Sequence, residues 1–137
     1  MIEAERKSAV DGQCPAEAYT AEHFKFGELL NREIIRNHDK VAVIASADLS
    51  HRLTKNAPGG YSPKGKKFDK KIVEYLLQSK AKEIIEMDKD EISDAGECGL
   101  KPITILLGIL EGVKYKPETY CYESPFGIGY LTMNFKL

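Results

Sequence analysis

Apolar positions recur along the chain with two periods, and the change of period marks the elements. Thr20 is placed as an N-cap, and Phe26, Leu29, Leu30 and Ile34 then follow at the spacing of an amphipathic helix that ends near Asn37. Val41 to Ala47 is short and apolar at nearly every position, which predicts a central strand covered on both faces. After the loop Asn56 to Pro63, Ser62 and Pro63 read as N-cap and first residue of a second helix, with Phe68, Ile72, Tyr75 and Leu76 on its buried face. A shorter helical piece over Ala81 to Met87 leads into an acidic segment and a Glu-Cys-Gly turn. A helix from about Leu100 to Leu110 is apolar on nearly every side and so internal; Pro102 falls in its first turn, and Gly112 stands as its stop. The remainder reads as two strands, Lys116 to Glu123 and Gly129 to Phe135. In the second, Leu131, Met133 and Phe135 alternate with Tyr130, Thr132 and Asn134. Residues 1–19 are an irregular lead-in broken by Gly12 and Pro15, and 20–137 form one α/β unit. Its expected architecture is a mixed sheet whose central buried strand is flanked by helices, with a pair of strands at the carboxy-terminal end.

Charge narrows the partners. With 20 basic and 21 acidic residues, a net charge of -1 and a pI near 6.3, the chain has no electrostatic footprint for nucleic acid or anionic membranes. A small molecule or another protein is the expected partner. Cys14, Cys98 and Cys121 are odd in number and lack CxxC spacing, which argues against a disulfide framework. The first residues lack the apolar core of a signal peptide, and Ile103 to Leu110 is too short to span a bilayer. The expected location is the cytoplasm.

Two segments carry candidate chemistry. In open α/β sheets the carboxyl ends of strands face the ligand crevice, so the loop after Val41 to Ala47 would present Asp48 and Ser50 as substrate contacts and His51 as a catalyst. An imidazole titrates near neutrality and can take and return a proton in one turnover. The alternative makes Asp48 and Ser50 caps of a turn and His51 a solvated surface residue. Glu97 and Cys98 precede an apolar helix, where unpaired amides favour a thiolate or carboxylate that could hold a metal. Here too there is a plainer reading, with Cys98 as a small core residue and Glu97 as a cap. His23 and His38 read as structural, the lysines at 64, 66, 67, 70 and 71 as a solvated helix face, and Tyr120 and Tyr122 as packing aromatics. The acidic run from Glu83 to Asp94 lacks the order of a calcium loop.

Four blocks in order, ASADLSHRL, GYSPKGKKFDKKIVEYL, DAGECGLKPITILLGILEG and SPFGIGYL, resemble the carboxy-terminal part of the LigB-like class III extradiol ring-cleavage dioxygenases. The similarity runs from about Ala21 onward and is nearest the MEMO-like branch, including AmmeMemoRadiSam system protein B. The resemblance implies a LigB-like half-domain of the phosphorylase/hydrolase-like kind. It also implies that His51 is the acid/base histidine, and that Cys98 stands where ring-cleaving enzymes place a glutamate metal ligand and MEMO-like proteins a cysteine. Glu97 would serve if the register differs by one. The metal implied is ferrous iron, with zinc or copper as alternatives. It would bind a catecholic substrate and dioxygen together, while the imidazole manages the proton.

The same resemblance places two further metal-binding histidines in an upstream half, and nothing before Ala21 supplies such a pair. Three readings follow. A dioxygenase-like oxidoreductase would take its missing ligands from a complementing subunit or another part of a longer polypeptide. A non-catalytic MEMO-like module would bind metal or protein through the same cleft. A remnant without metal would form a homo-oligomer that covers the sheet edge beside Val41 to Ala47.

Overall fold

The computed structural model describes residues 16–137. Five helices, α1 (Ala16–Arg36), α2 (Pro63–Leu77), α3 (Ala81–Ile85), α4 (Lys89–Ala95) and α5 (Leu100–Ile109), precede the strands β1 (Lys116–Glu123) and β2 (Tyr130–Lys136). The strands form an antiparallel pair that places Lys116 opposite Lys136 and Glu123 opposite Tyr130, with a register shift between Thr119 and Cys121. The architecture is thus mixed helix and strand, with one two-stranded sheet among the described residues.

The helix expected from Thr20 is already formed at Ala16, so residues 16–19 of the expected lead-in are helical and the rest of it lies outside the described residues. Thr20 is not a cap. It is buried inside α1, and its hydroxyl donates to the Ile85 carbonyl at 2.9 Å. The buried face of α1 also differs from the expected stripe, because Phe26 and Leu29 are half exposed. The helix turns a glycine toward its neighbour instead. A Cβ on Gly27 would meet Gly108 Cα of α5 at 2.9 Å, and one on Gly108 would meet Gly27 Cα at 3.0 Å. Two bare backbones therefore pack closer than apolar side chains would allow, and Asn31 adds a hydrogen bond from its amide to the Ile109 carbonyl.

Local signals survive well in α2. Ser62 accepts the Lys64 amide at 3.3 Å, Pro63 opens the helix, and Phe68, Ile72 and Leu76 are buried as the spacing predicts. With Leu49, Ile84, Met87, Ala95, Leu100 and Leu107 they form the core, against which Leu131, Met133 and Phe135 of β2 lay their inner face. Gly112 adopts a left-handed φ of 73°, the conformation expected of a helix stop.

Two further expectations are corrected. The acidic segment contains a helix, α4, which starts where Asp88 Oδ1 accepts the Glu91 amide at 2.9 Å and ends at Gly96, with φ 58°. More consequentially, residues 41–47 do not form a buried central strand. They run without turn or bend, but no strand pairs with them, and Val41, Val43 and Ile44 are 47%, 41% and 85% exposed. A strand is defined by the neighbours that take its amides and carbonyls, and among the described residues none lies beside this segment. A cavity of about 590 Å³ separates it from α5 and β2, lined by Val41, Val43, Ala45, Leu106, Ile109, Leu131 and Met133 among others.

Candidate metal centre

The chain becomes ordered by hydrogen bonding where the apolar segment ends. Leu49 donates its amide to Gly129 O at 2.8 Å, Gly129 returns one to Ser50 O at 2.9 Å, and Leu53 donates to Gly127 O at 3.0 Å. On the other side the His51 amide reaches Gly96 O at 3.2 Å, and Ser50 forms an antiparallel bridge with Glu97. The loop at 48–53 is therefore clamped between the β1–β2 connection and the link from α4 to α5.

A buried polar pin secures the clamp. Asp69, on the inner face of α2 and 1% exposed, accepts the Ser50 amide on Oδ1 at 2.8 Å and the Tyr122 hydroxyl on Oδ2 at 2.6 Å. Burial pushes the Asp69 carboxyl above its ordinary range, a rise that these two hydrogen bonds oppose. Burial likewise raises the Tyr122 phenol, and its bond to Asp69 adds to the rise. Ser50 completes the network. Fully buried, it donates its hydroxyl to Ala95 O at 2.7 Å and accepts the Arg52 amide at 3.1 Å. The Ser50 side chain thus holds the loop and does not join the surface cluster that Asp48 and His51 form.

That cluster contains three donors. His51 Nε2 lies 3.5 Å from Cys98 Sγ and 3.7 Å from Asp48 Oδ2, and the three ligand atoms fall within 4.8 Å of one another. Cys98 Sγ also receives the Asp48 amide at 3.4 Å and donates to the Asp48 carbonyl at 3.6 Å, so the thiol is seated against the backbone of the opposing loop. Gly99 permits this approach, because a Cβ there would stand 2.6 Å from the Asp48 carbonyl oxygen. His51 and Asp48 are partly exposed and Cys98 is exposed, which leaves the cluster open to solvent.

Glu97 points elsewhere. Its Oε2 accepts the Leu100 amide at 2.6 Å at the start of α5, and burial raises its carboxyl while the Leu100 and Gly99 amides oppose the rise. The carboxylate in the cluster comes instead from Asp48, which the sequence suggests as a substrate contact or a turn cap and not as a metal ligand. Asp69 and Tyr122 are the other residues that sequence reasoning missed. The signal for Asp69 was its position beside Phe68 and three residues before Ile72, on the apolar face of a helix otherwise rich in lysine.

Comparison with known proteins gives the family. Residues 7–133 match the family described as the catalytic LigB subunit of aromatic ring-opening dioxygenase. The chain belongs to the LigB family. A curated relative, Protein CA_C1420 of Clostridium acetobutylicum, is 41% identical over 112 residues, which cover 82% of this chain and 24% of that protein. The chain therefore spans about a quarter of the length of the curated relative it matches. Enzymes of the LigB family are metal-dependent, and the donor set present here suits a divalent ion. One imidazole, one carboxylate and one thiol are ligands of graded softness, and three protein donors leave coordination positions free for other ligands. No described helix is long and apolar enough to cross a membrane.

Proposed function

We propose that this LigB-family chain contributes part of the metal centre of an extradiol dioxygenase-like enzyme, one that acts on a catecholic or related small aromatic substrate. The observation that carries this reading is the convergence of Asp48, His51 and Cys98 on one solvent-open point. In this reading Cys98 and Asp48 hold the metal. His51, 3.5 Å from the thiol, is close enough to either bind it or exchange a proton with a substrate hydroxyl beside it. Ferrous iron at such a centre would supply the joint binding of catecholate and dioxygen. The work of the chain itself is to fix the imidazole, through the His51 amide on Gly96 and the buried Ser50–Asp69 bond, so that no reorganisation is needed when the proton moves. The centre would be completed by ligands from another part of a longer polypeptide or from a complementing subunit.

The test is elemental mass spectrometry on anaerobically purified protein, before and after loading with ferrous iron, with Cys98→Ser alongside. Near-stoichiometric metal that is lost in the variant supports the reading and calls for catechol turnover assays. No metal under either condition overturns the reading that Asp48, His51 and Cys98 hold a metal.

One observation favours a second reading, a non-catalytic MEMO-like binding module. The carboxylate next to the cysteine, Glu97, is committed to capping α5, so the cluster keeps a thiol where ring-cleaving relatives would use a carboxylate. A thiolate prefers softer metals and is readily oxidised. Tight copper or zinc binding without ring cleavage would select this reading.

A further inference from the structure

We infer that Arg52 is a positioning residue for Cys98, because its side chain ties the end of α4 to the loop that carries Asp48 and His51. What this does for a metal rests on the centre proposed above, whereas what it does for the loops rests on contacts within the chain. Three consecutive carbonyls at the end of α4 are taken by three consecutive residues of the loop. The Arg52 guanidinium donates to Asp94 O at 3.2 Å, the Ser50 hydroxyl to Ala95 O at 2.7 Å and the His51 amide to Gly96 O at 3.2 Å. Carbonyls in the last turn of a helix have no partner within it, so these bonds decide where the chain leaves α4. Cys98 follows two residues after Gly96, and its thiol meets Asp48 and His51 when this seam is closed.

Arg52 differs from the other two because it also reaches a third segment. Its Nε donates to the Gly59 carbonyl at 2.9 Å, so one guanidinium spans the loop around Gly59 and the end of α4. Its stem runs between two bare glycines: a Cβ on Gly59 would stand 2.8 Å from Arg52 Cγ, and one on Gly96 would stand 2.8 Å from Arg52 Cδ. The Arg52 backbone is fixed as well, with its amide on Ser50 Oγ at 3.1 Å and its carbonyl accepting the Ser62 amide at 2.9 Å. The Asp94 carboxylate is engaged by Lys64 at 2.5 Å, so what the guanidinium grips at Asp94 is the backbone carbonyl. Nitrogens held in one plane can grip two carbonyls of different segments at once, which the single nitrogen of a lysine does less well.

Cobalt(II) titration of the 137-residue chain, followed by the thiolate-to-cobalt charge-transfer band, tests the proposal alongside hydrogen exchange at the His51 amide and urea denaturation of the metal-free protein. In Arg52→Met the cobalt affinity should fall roughly 10- to 100-fold. The His51 amide should exchange faster as its bond to Gly96 O opens, while the Ser50 amide, held by Asp69, keeps its rate. The urea midpoint should stay near that of wild type, since both guanidinium bonds lie at least partly in solvent. Arg52→Lys keeps the charge and the stem and should fall between the two in affinity. Unchanged affinity in Arg52→Met overturns the proposal, as does full affinity in Arg52→Lys, which would make charge alone sufficient. Should Arg52→Met fail to fold, Arg52→Lys decides by the same three readings. No cobalt in wild type, or a band that survives Cys98→Ser, overturns the metal centre itself. Arg52 is then judged on exchange alone, where a His51 amide as slow in the variant as in wild type overturns its positioning role.

Discussion

Residues 41–47 and residues 48–53 are consecutive, yet they obey different rules. The first stretch is the more apolar and makes no backbone hydrogen bond within the described chain, whereas the second is shorter on apolar residues and is held from three sides. The difference shows that apolar sequence does not by itself position backbone. What positions it is the pairing of its polar groups, and for 48–53 those pairs come from Gly129, Gly127, Gly96 and the buried carboxylate of Asp69. The candidate metal centre stands on the held side of this boundary, so its donor distances are set without help from the segment before it.

The sharpest way to break this comparison is to remove the pin. Asp69→Ala would leave the Ser50 amide and the Tyr122 hydroxyl buried without partners and open a void beside Gly129, which a Cβ would otherwise drive into the Asp69 carboxylate. The expected loss is about 3 to 5 kcal/mol of folding stability, measured by urea denaturation. A loss below about 1 kcal/mol would mean that the glycine contacts alone hold the loop.

Asp69→Asn sharpens the same point through pH. The fold raises the Asp69 carboxyl above its unfolded value of 3.8, so the native chain binds this proton more tightly than the unfolded chain. Stability from this group is therefore full below 3.8 and is lost as pH rises through the higher native pKa, by about 1.4 kcal/mol for each unit of difference. Glu97, also raised from its ordinary 4.5, adds a fall of the same sign. The Asn variant cannot ionise, so wild type should lose ground to it with rising pH across that window. Urea midpoints at a series of pH values check this. A wild type that gains on the variant instead would show that the hydrogen bonds from Ser50 and Tyr122 outweigh burial.

How much was legible in the sequence follows the same division between local and distant partners. The Ser62–Pro63 cap, the Phe68–Ile72–Leu76 face and the β1–β2 pair were readable because their signals lie within a few residues of each other. Asp88 and Glu91 carried an equally local capping signal for α4, in an acidic run weighed only against the order of a calcium loop. The expected central strand is not paired among the described residues, because its formation depends on neighbours that periodicity does not encode. The blocks around His51 and Cys98 were legible as a site, and the structure brings those two side chains together. Glu97 as a helix cap was the plainer of its two readings, whereas Asp48 beside the imidazole and thiol depended on directions that only the folded loops define.

The smallest expected effect tests the bare side of the boundary. If residues 41–47 are outside the cooperative core, Ile44→Ala should change stability by less than about 0.5 kcal/mol, since its side chain is 85% exposed. Truncating a packed aliphatic residue of similar size would cost about 2 to 5 kcal/mol, so urea denaturation separates the cases cleanly. A core-sized loss would mean that the segment closes over the cavity toward β2 in solution. The boundary at Asp48 would then vanish, and the metal centre would depend on both sides of it. A negligible loss would leave the fold of the chain to the pinned loop and the helices around it.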